Sequence, residues 1–276
     1  MPFRSPSAGD SSEPMTRRFR LVVAYDGTDF HGWQESAGVR TVAGEIRQAL
    51  VPVSRGGEID LEGASRTDTG VHALGQVVLV SLETNLDADP LARALAARTP
   101  PDISIVSCSE VLDDFHPRFD AIGKRYLYRI WKGERAPLFE ARNCWWVNES
   151  LDIEAMNQAA SFLVGRHCFA AFRNRSKDEP QDTTRTLAAL DVRARGDWVW
   201  VQSIGDGFLY RMVRNLVGTL VDVGRGATGA QEVKRILASG DRREGGRGAP
   251  PQGLFLMEVG YPLGPPLEVR DHLPRF

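Results

Sequence analysis

Cysteine is scarce in this chain, and that scarcity excludes a good deal. Cys108, Cys144 and Cys168 are odd in number and lack CxxC spacing, so neither a disulfide framework nor a thiolate metal site is expected. A reduced, cytoplasmic protein follows. Long apolar runs are missing too: GQVVLVSL and NLVGTLVDV fall far short of the roughly 18 to 20 residues of a membrane helix. The opening MPFRSPSAGDSSEPMTRRF has no apolar signal-peptide core, and its Ser, Pro and Gly predict a disordered leader over residues 1–16. His31, His72, His116, His167 and His272 are scattered, with no HExxH, and neither GxSxG nor a P-loop occurs. No metal site is expected. Gly224, Gly226 and Gly229 spell GxGxxG, but the preceding segment reads as helix and no suitable acid follows, so a connector between helices is expected.

What is present is a chain of 276 residues, 42% apolar, able to bury one large core or two moderate ones. Its net charge of −2 does not by itself suggest nucleic acid, but the charge is segregated. Basic residues cluster at Arg17 to Arg20, Lys124 to Lys132, Arg173 to Lys177, and Arg211 with Arg214, while acids gather at Glu83 to Asp89 and Glu149 to Glu154. One basic face on an acidic body is permitted; so is plain solvated surface.

Periodicity predicts two successive α+β halves. In the first, RFRLVVAYDGT is a strand, TVAGEIRQAL a helix capped by Thr41, and EIDLEGAS and QVVLVSL strands around a loop. DADPLARALAART is a helix with Asp89 as N-cap and Pro90 at the first helical position, followed by the strand ISIVSCSEVL. In the second, GKRYLYRIWK is a strand and DIEAMNQAASFLVG a helix stopped by Gly165. A hairpin turns at Gly196-Asp197, FLYRMVRNLVGTLVDVG and AQEVKRILASG are helices ending at Gly224 and Gly240, and LFLMEVGY closes the chain as a strand. DDFHPRFD marks the boundary, giving a leader 1–16, an N-terminal domain 17–112 and a C-terminal domain 113–276. The Arg-rich DRREGGRGAPPQG reads equally as a mobile RNA-contacting loop or a surface connector.

The segment GASRTDTGVHA carries the chemistry. Its Asp-Thr-Gly evokes an aspartic protease, which needs two carboxylates sharing a proton. Only one such triplet is present, and Arg66 two residues away opposes proton sharing by Asp68. In an extended segment Arg66 and Asp68 face one side together, with Thr67 and Thr69 turned away. An ion-paired, oriented carboxylate suits a nucleophile. Gly63 and Gly70 permit close approach or positive φ. An Arg–Asp pair closing an ordinary turn is the alternative that these residues leave open.

GASRTDTGVHALGQV closely resembles the G-R-T-D-x-G-V-H signature of the tRNA pseudouridine synthase A family. YDGTDFHGWQ, DDFHPRFDAIGKRYLYRI, FAAFR, FLYRMVRNLVGTLVDVG and QGLFLMEVGYP resemble its other blocks in order, over about residues 19–262. Thr69 stands where many members carry Ala. The resemblance implies the α+β pseudouridine synthase fold: two related domains, mainly antiparallel sheets with helices on one face, and an RNA cleft between them. It implies isomerisation of uridine to pseudouridine in the anticodon stem-loop of tRNA, positions 38–40, by a homodimer without metal or organic cofactor. Asp68 would be the nucleophile, with Arg66 as its pair and a filler of the gap in the RNA helix. Tyr126 would stack on the flipped base and could take a proton, given help in lowering its pKa. Arg173 and Arg214 would contact RNA, and Leu254 would pack against the uracil. Flipping a stacked base costs a few kcal/mol, and phosphate contacts make binding salt-dependent. A non-catalytic tRNA-binding relative is the alternative.

Overall fold

The computed structural model describes residues 16–175 and 181–272. The expected leader lies outside these, except that Thr16 already belongs to the first strand. In chain order the elements are β1 (Thr16–Tyr25), α1 (Val42–Leu50), β2 (Asp60–Gly63), β3 (His72–Glu83), α2 (Ala88–Ala96) and β4 (Ile103–Glu110). There follow β5 (Gly123–Trp131), β6 (Trp145–Trp146), α3 (Ile153–Ser161), β7 (Gly165–Cys168), β8 (Thr184–Arg195) and β9 (Trp198–Gly205). The chain ends with α4 (Met212–Gly224), α5 (Glu232–Ser239) and β10 (Leu254–Gly260).

All ten strands join one sheet whose path is β4-β1-β3-β10-β5-β9-β8-β7, with β2 beside β3 and β6 beside β5. The alternation in β1 buries Phe19, Leu21, Val23 and Tyr25 on one side, as a half-covered strand requires. Buried residues of all five helices pack into the same core as these and as Tyr126, Tyr128 and Ile130 of β5. Leu127, Trp200 and Phe255 form a small separate cluster. Successive side chains of a strand point to opposite faces, so the helices lie on one face, as predicted.

The last strand does what no local pattern announces. β10 runs parallel to β3 (Phe255 opposite His72) and antiparallel to β5 (Leu254 opposite Tyr128), so it ties the two halves of the sheet together. Along β3, β1 occupies one edge throughout. On the other edge β2 pairs with residues 78–81 and β10 with residues 72–73, leaving a notch between them. The loop from Gly63 to Gly70 emerges at that notch.

Three helix boundaries differ from expectation. α2 begins at Ala88 with Asp87 at the N-cap, so Asp89 and Pro90 sit inside the first turn, where a missing N–H costs no helical bond. α3 ends at Ser161, and Gly165 instead opens β7 at φ 109°. α4 starts at Met212 because Arg211 takes a left-handed conformation, φ 58°. The helix–helix connector at Gly224–Gly229, the Thr41 cap and the turn at 196–197 are as expected. Among the described residues no helix is long and apolar enough to cross a membrane.

Candidate active site

The loop after β2 is held by side chains that continue the sheet where its strands stop. Gln76, fully buried in β3, accepts from the Ser65 amide at 3.2 Å and donates to the Ser65 carbonyl at 2.6 Å. Its amide thus imitates a strand neighbour across the notch. The segment Tyr25–Gln34 supports the loop from beneath: the Trp33 amide donates to the Thr67 carbonyl at 3.1 Å, and the Tyr25 and Thr67 hydroxyls are 2.8 Å apart. The Trp33 indole lies where a Cβ on Gly63 would be 2.5 Å away, and Gly70 turns at φ 77°. Both glycines are required, for close approach and for positive φ respectively. Thr67 is therefore buried and Thr69 exposed, while Arg66 and Asp68 line one cleft of about 510 Å³.

The Asp68 carboxylate meets cations from α4 and its N-cap. Arg214 Nη1 donates to Asp68 Oδ2 at 3.0 Å, and Arg211 Nε stands 3.9 Å from the same oxygen. The Arg214–Asp68 pair is largely shielded, with side-chain exposures of 12% and 16%. Arg214 is itself aimed: its Nε donates to the Ala249 carbonyl at 2.7 Å, and the Ala249 amide donates back to the Arg214 carbonyl at 2.9 Å. Arg211 sits at the left-handed N-cap, one residue before α4 begins, and both arginines approach the same oxygen of Asp68.

The Arg-rich segment between α5 and β10 is thereby placed. It packs along α4 as a strap: Arg242 Nη2 donates to Asn215 Oδ1 at 2.9 Å, and the Gly246 amide to Thr219 Oγ1 at 3.0 Å. Tyr128 donates to the Pro250 carbonyl at 2.7 Å. The segment is a packed connector whose Ala249 carbonyl orients the ion pair, with Arg243 and Arg247 left exposed.

Tyr126 is buried beside the carboxylate, its hydroxyl 2.8 Å from Ser65 Oγ. Phe208 meets its ring edge-on with centroids 5.0 Å apart. Burial, with the charge of Asp68 adding to it and the Ser65 bond opposing, pushes the Tyr126 phenol up to about 12. Help in lowering that pKa, which the proton-accepting role called for, is not what the surroundings supply. Leu254 at the start of β10 lines the cleft too, whereas Arg173 is not among its lining residues. The other lining carboxylates are Glu35 and Glu62, each engaged elsewhere, with Arg47 at 2.8 Å and His116 at 3.1 Å. A carboxylate flanked by arginines and denied a second carboxylate cannot run aspartic-protease chemistry. Among the described residues no group of three His, Cys, Asp or Glu could hold a metal ion.

This site coincides with a family pattern. The family model described as tRNA pseudouridine synthase matches residues 21–120 and 159–262, which include Arg66, Asp68, Arg214 and Leu254. The chain belongs to that family. It is 44% identical over 245 residues to tRNA pseudouridine synthase A of Brevibacillus brevis, covering 89% of this chain and all of that one. To the protein of the same name from Acetivibrio thermocellus it is 41% identical over 245 residues, again 89% and 100% of the two chains. The Sinorhizobium fredii protein of that name is 40% identical over 248 residues, 88% of this chain and 99% of its own. Among solved structures, a chain of a Cbf5-Nop10-Gar1 complex aligns with 74% of this chain and 45% of its own at 14% identity and a TM-score of 0.34.

In this pseudouridine synthase chain, several cleft residues escaped the sequence reading. Ser65 and Gln76 hold the loop and Tyr126; Phe208 walls the ring; Arg118, Lys124 and Arg185 line the same cleft. They come from β3, β5, β8 and the connections around them. No spacing within one element could have grouped them. Lys124 alone carried a signal, as the first residue of KRYLY.

Proposed function

We infer that this chain isomerises uridine to pseudouridine in the anticodon stem-loop of tRNA, at positions 38–40, with Asp68 as nucleophile. The observation that carries the reading is one shielded carboxylate, Asp68, oriented by Arg214 beside a buried Tyr126 in a cleft of a pseudouridine synthase chain. The cleft has the size of a small-ligand site and suits one flipped nucleotide. The reaction conserves every atom: the N1–C1′ bond breaks, the base turns, C5 bonds to C1′, C5 loses a proton and N1 gains one.

Each residue then has a task. Arg214 keeps Asp68 in place and can release it as the covalent bond forms. Tyr126 would offer the base a flat ring and Leu254 an aliphatic contact. Forming an adduct cancels the charge of Asp68, one of the influences that raise the Tyr126 pKa, so the phenol gives up its own proton more readily and the phenolate that could accept the C5 proton becomes more accessible. Arg66, exposed at the cleft, would fill the gap left in the RNA helix, and Arg173, half-buried and outside the cleft lining, would contact RNA further out. We further propose a cytoplasmic homodimer working without a cofactor, in which lobes 17–112 and 113–276 supply the two walls of the cleft.

The experiment is to map pseudouridine in bulk tRNA after incubation with the wild-type protein and with Asp68→Ala. Product at positions 38–40 with the wild type, and none with a folded, tRNA-binding Asp68→Ala protein, is the expected result. Tight tRNA binding by the wild type with no pseudouridine would instead establish a non-catalytic relative.

A further inference from the structure

The same cleft holds a second charged feature that the Asp68 chemistry does not use. Lys124 on β5, Arg118 in the connection before it and Arg185 near the start of β8 all line the cleft. Their hydrogen bonds go to neutral groups. Lys124 Nζ donates to the Ala64 carbonyl at 2.7 Å, and Arg185 Nη1 donates to the Asp182 and Thr184 carbonyls at 3.1 and 2.6 Å. The Arg118 guanidinium lies 5.9 Å from the centre of the Phe119 ring. Among the described residues none of the three forms an ion pair with a carboxylate, although Arg17 and Arg40 elsewhere each hold two. The three are close enough to repel: burial, with the fields of Arg118 and Arg185, holds the Lys124 ammonium down at about 8.

Asp182 lies within the field of Arg185 and offsets part of its charge, but three cations that share a cleft without an ion pair of their own still gain from a ligand that brings more negative charge. We propose that Arg118, Lys124 and Arg185 clamp a backbone phosphate of the RNA adjoining the nucleotide that enters the cleft. This rests on the RNA-modifying reading above and names the group recognised. A phosphodiester fits because guanidiniums grip phosphate through paired N–H donors while lysine supplies a point charge. A flipped nucleotide also carries its flanking phosphates with it, so one of them must settle at the cleft wall.

The clamp also reaches the catalytic loop. Ala64, whose carbonyl Lys124 holds, directly precedes Ser65, the partner of Tyr126, and stands four residues before Asp68. A phosphate beside Lys124 favours its charged form and so tightens that bond. Lys124 is in this respect a positioning residue, firming the loop when RNA is seated.

The test uses the full chain and anticodon stem-loop RNAs in which one phosphate near the target uridine is replaced by a neutral methylphosphonate. Direct binding and single-turnover isomerisation are measured for wild type, Arg118→Ala, Arg185→Ala, their double variant, and Lys124→Met. Neutralising one flanking phosphate is expected to weaken wild-type binding about tenfold, and to weaken binding by the double variant less than twofold. Each arginine variant should also flatten the dependence of log affinity on log salt, by up to about 0.7 to 0.9 for each phosphate no longer neutralised. Lys124→Met should slow single turnover even at saturating RNA, which a weaker grip on phosphate alone does not do; unchanged turnover overturns the positioning role. Should Lys124→Met fail to fold, Lys124→Arg, which keeps charge but alters the reach to Ala64, gives the same readout. Wild-type isomerisation with a methylphosphonate penalty undiminished in the variants overturns the clamp and leaves the function standing. Phosphate-sensitive binding that the variants abolish, without isomerisation, overturns the function and leaves the clamp. No binding of stem-loop RNA by the wild type overturns both.

Discussion

Arg214 holds Asp68 with one arm and is held by Ala249 with another: Nη1 lies 3.0 Å from the carboxylate and Nε 2.7 Å from the carbonyl. One planar guanidinium spans the Asp68 loop and the strap. A lysine donates from one nitrogen on a flexible stem and lacks the rigid fork that fixes both bonds at once. Arg214→Lys is therefore expected to behave like Arg214→Met, each lowering the single-turnover rate by about 100-fold, the usual cost of a misplaced charged donor. Thermal unfolding on the same samples separates misfolding from misaiming. A lysine variant within threefold of wild type would show that charge alone suffices.

Proton binding by Lys124 gives stability a pH dependence of known sign. The unfolded side chain keeps its proton to about 10.5, while the folded one gives it up near 8, through burial and the fields of Arg118 and Arg185. Between these values unfolding takes up a proton, so this residue makes stability rise with pH. Urea unfolding at pH 7.5 and 9.5 should show that rise in wild type relative to Lys124→Met, against the opposing contribution of Cys108 and Cys144, whose thiols burial pushes up to about 11. RNA affinity should move the other way and fall above about pH 8, with Lys124→Arg staying flat. An identical pH response in wild type and Lys124→Met excludes this assignment.

Arg211 is a non-glycine residue held at φ 58°, a conformation costing about 1 kcal/mol or more. Glycine relieves that strain and alanine does not. Arg211→Gly should be about 1 kcal/mol more stable than Arg211→Ala in denaturant titrations. Both should lose isomerisation equally, because both remove the cation 3.9 Å from Asp68. Unequal activity at equal expression would mean that the backbone geometry at the start of α4 matters more than the charge.

Gly218 on α4 faces the strap, and a Cβ there would lie 1.8 Å from the Arg247 carbonyl oxygen. Backbone cannot yield as a flexible side chain can. Gly218→Ala should cost about 2 to 3 kcal/mol in urea unfolding, well beyond an ordinary surface change. Displacing the strap also moves the Ala249 carbonyl, so activity should drop although Gly218 does not itself line the cleft. A fully active, fully stable Gly218→Ala protein would falsify the strap's role in aiming Arg214.

Much of this molecule was legible in one dimension because short-range physics wrote it there. The alternation of Phe19, Leu21, Val23 and Tyr25 can only be a strand with one covered face, and Thr41 before an apolar-periodic run is a helix cap. Gly63, Gly70, Arg66 and Asp68 sit within eight residues, so their spacing alone indicated a loop that presents a charged carboxylate. What surrounds the carboxylate was decided elsewhere. Arg214 lies 146 residues away and Tyr126 reaches Ser65 across 61, and both distances collapse only because β10 inserts between β3 and β5. No local preference selects that strand order; it follows from burying two apolar sheet halves against a common set of helices. The same closure raised the Tyr126 pKa where proton acceptance calls for lowering, and brought Arg118, Lys124 and Arg185 into one cleft. Charge and burial at a point depend on everything that packs there, and only the tertiary structure determines what that is.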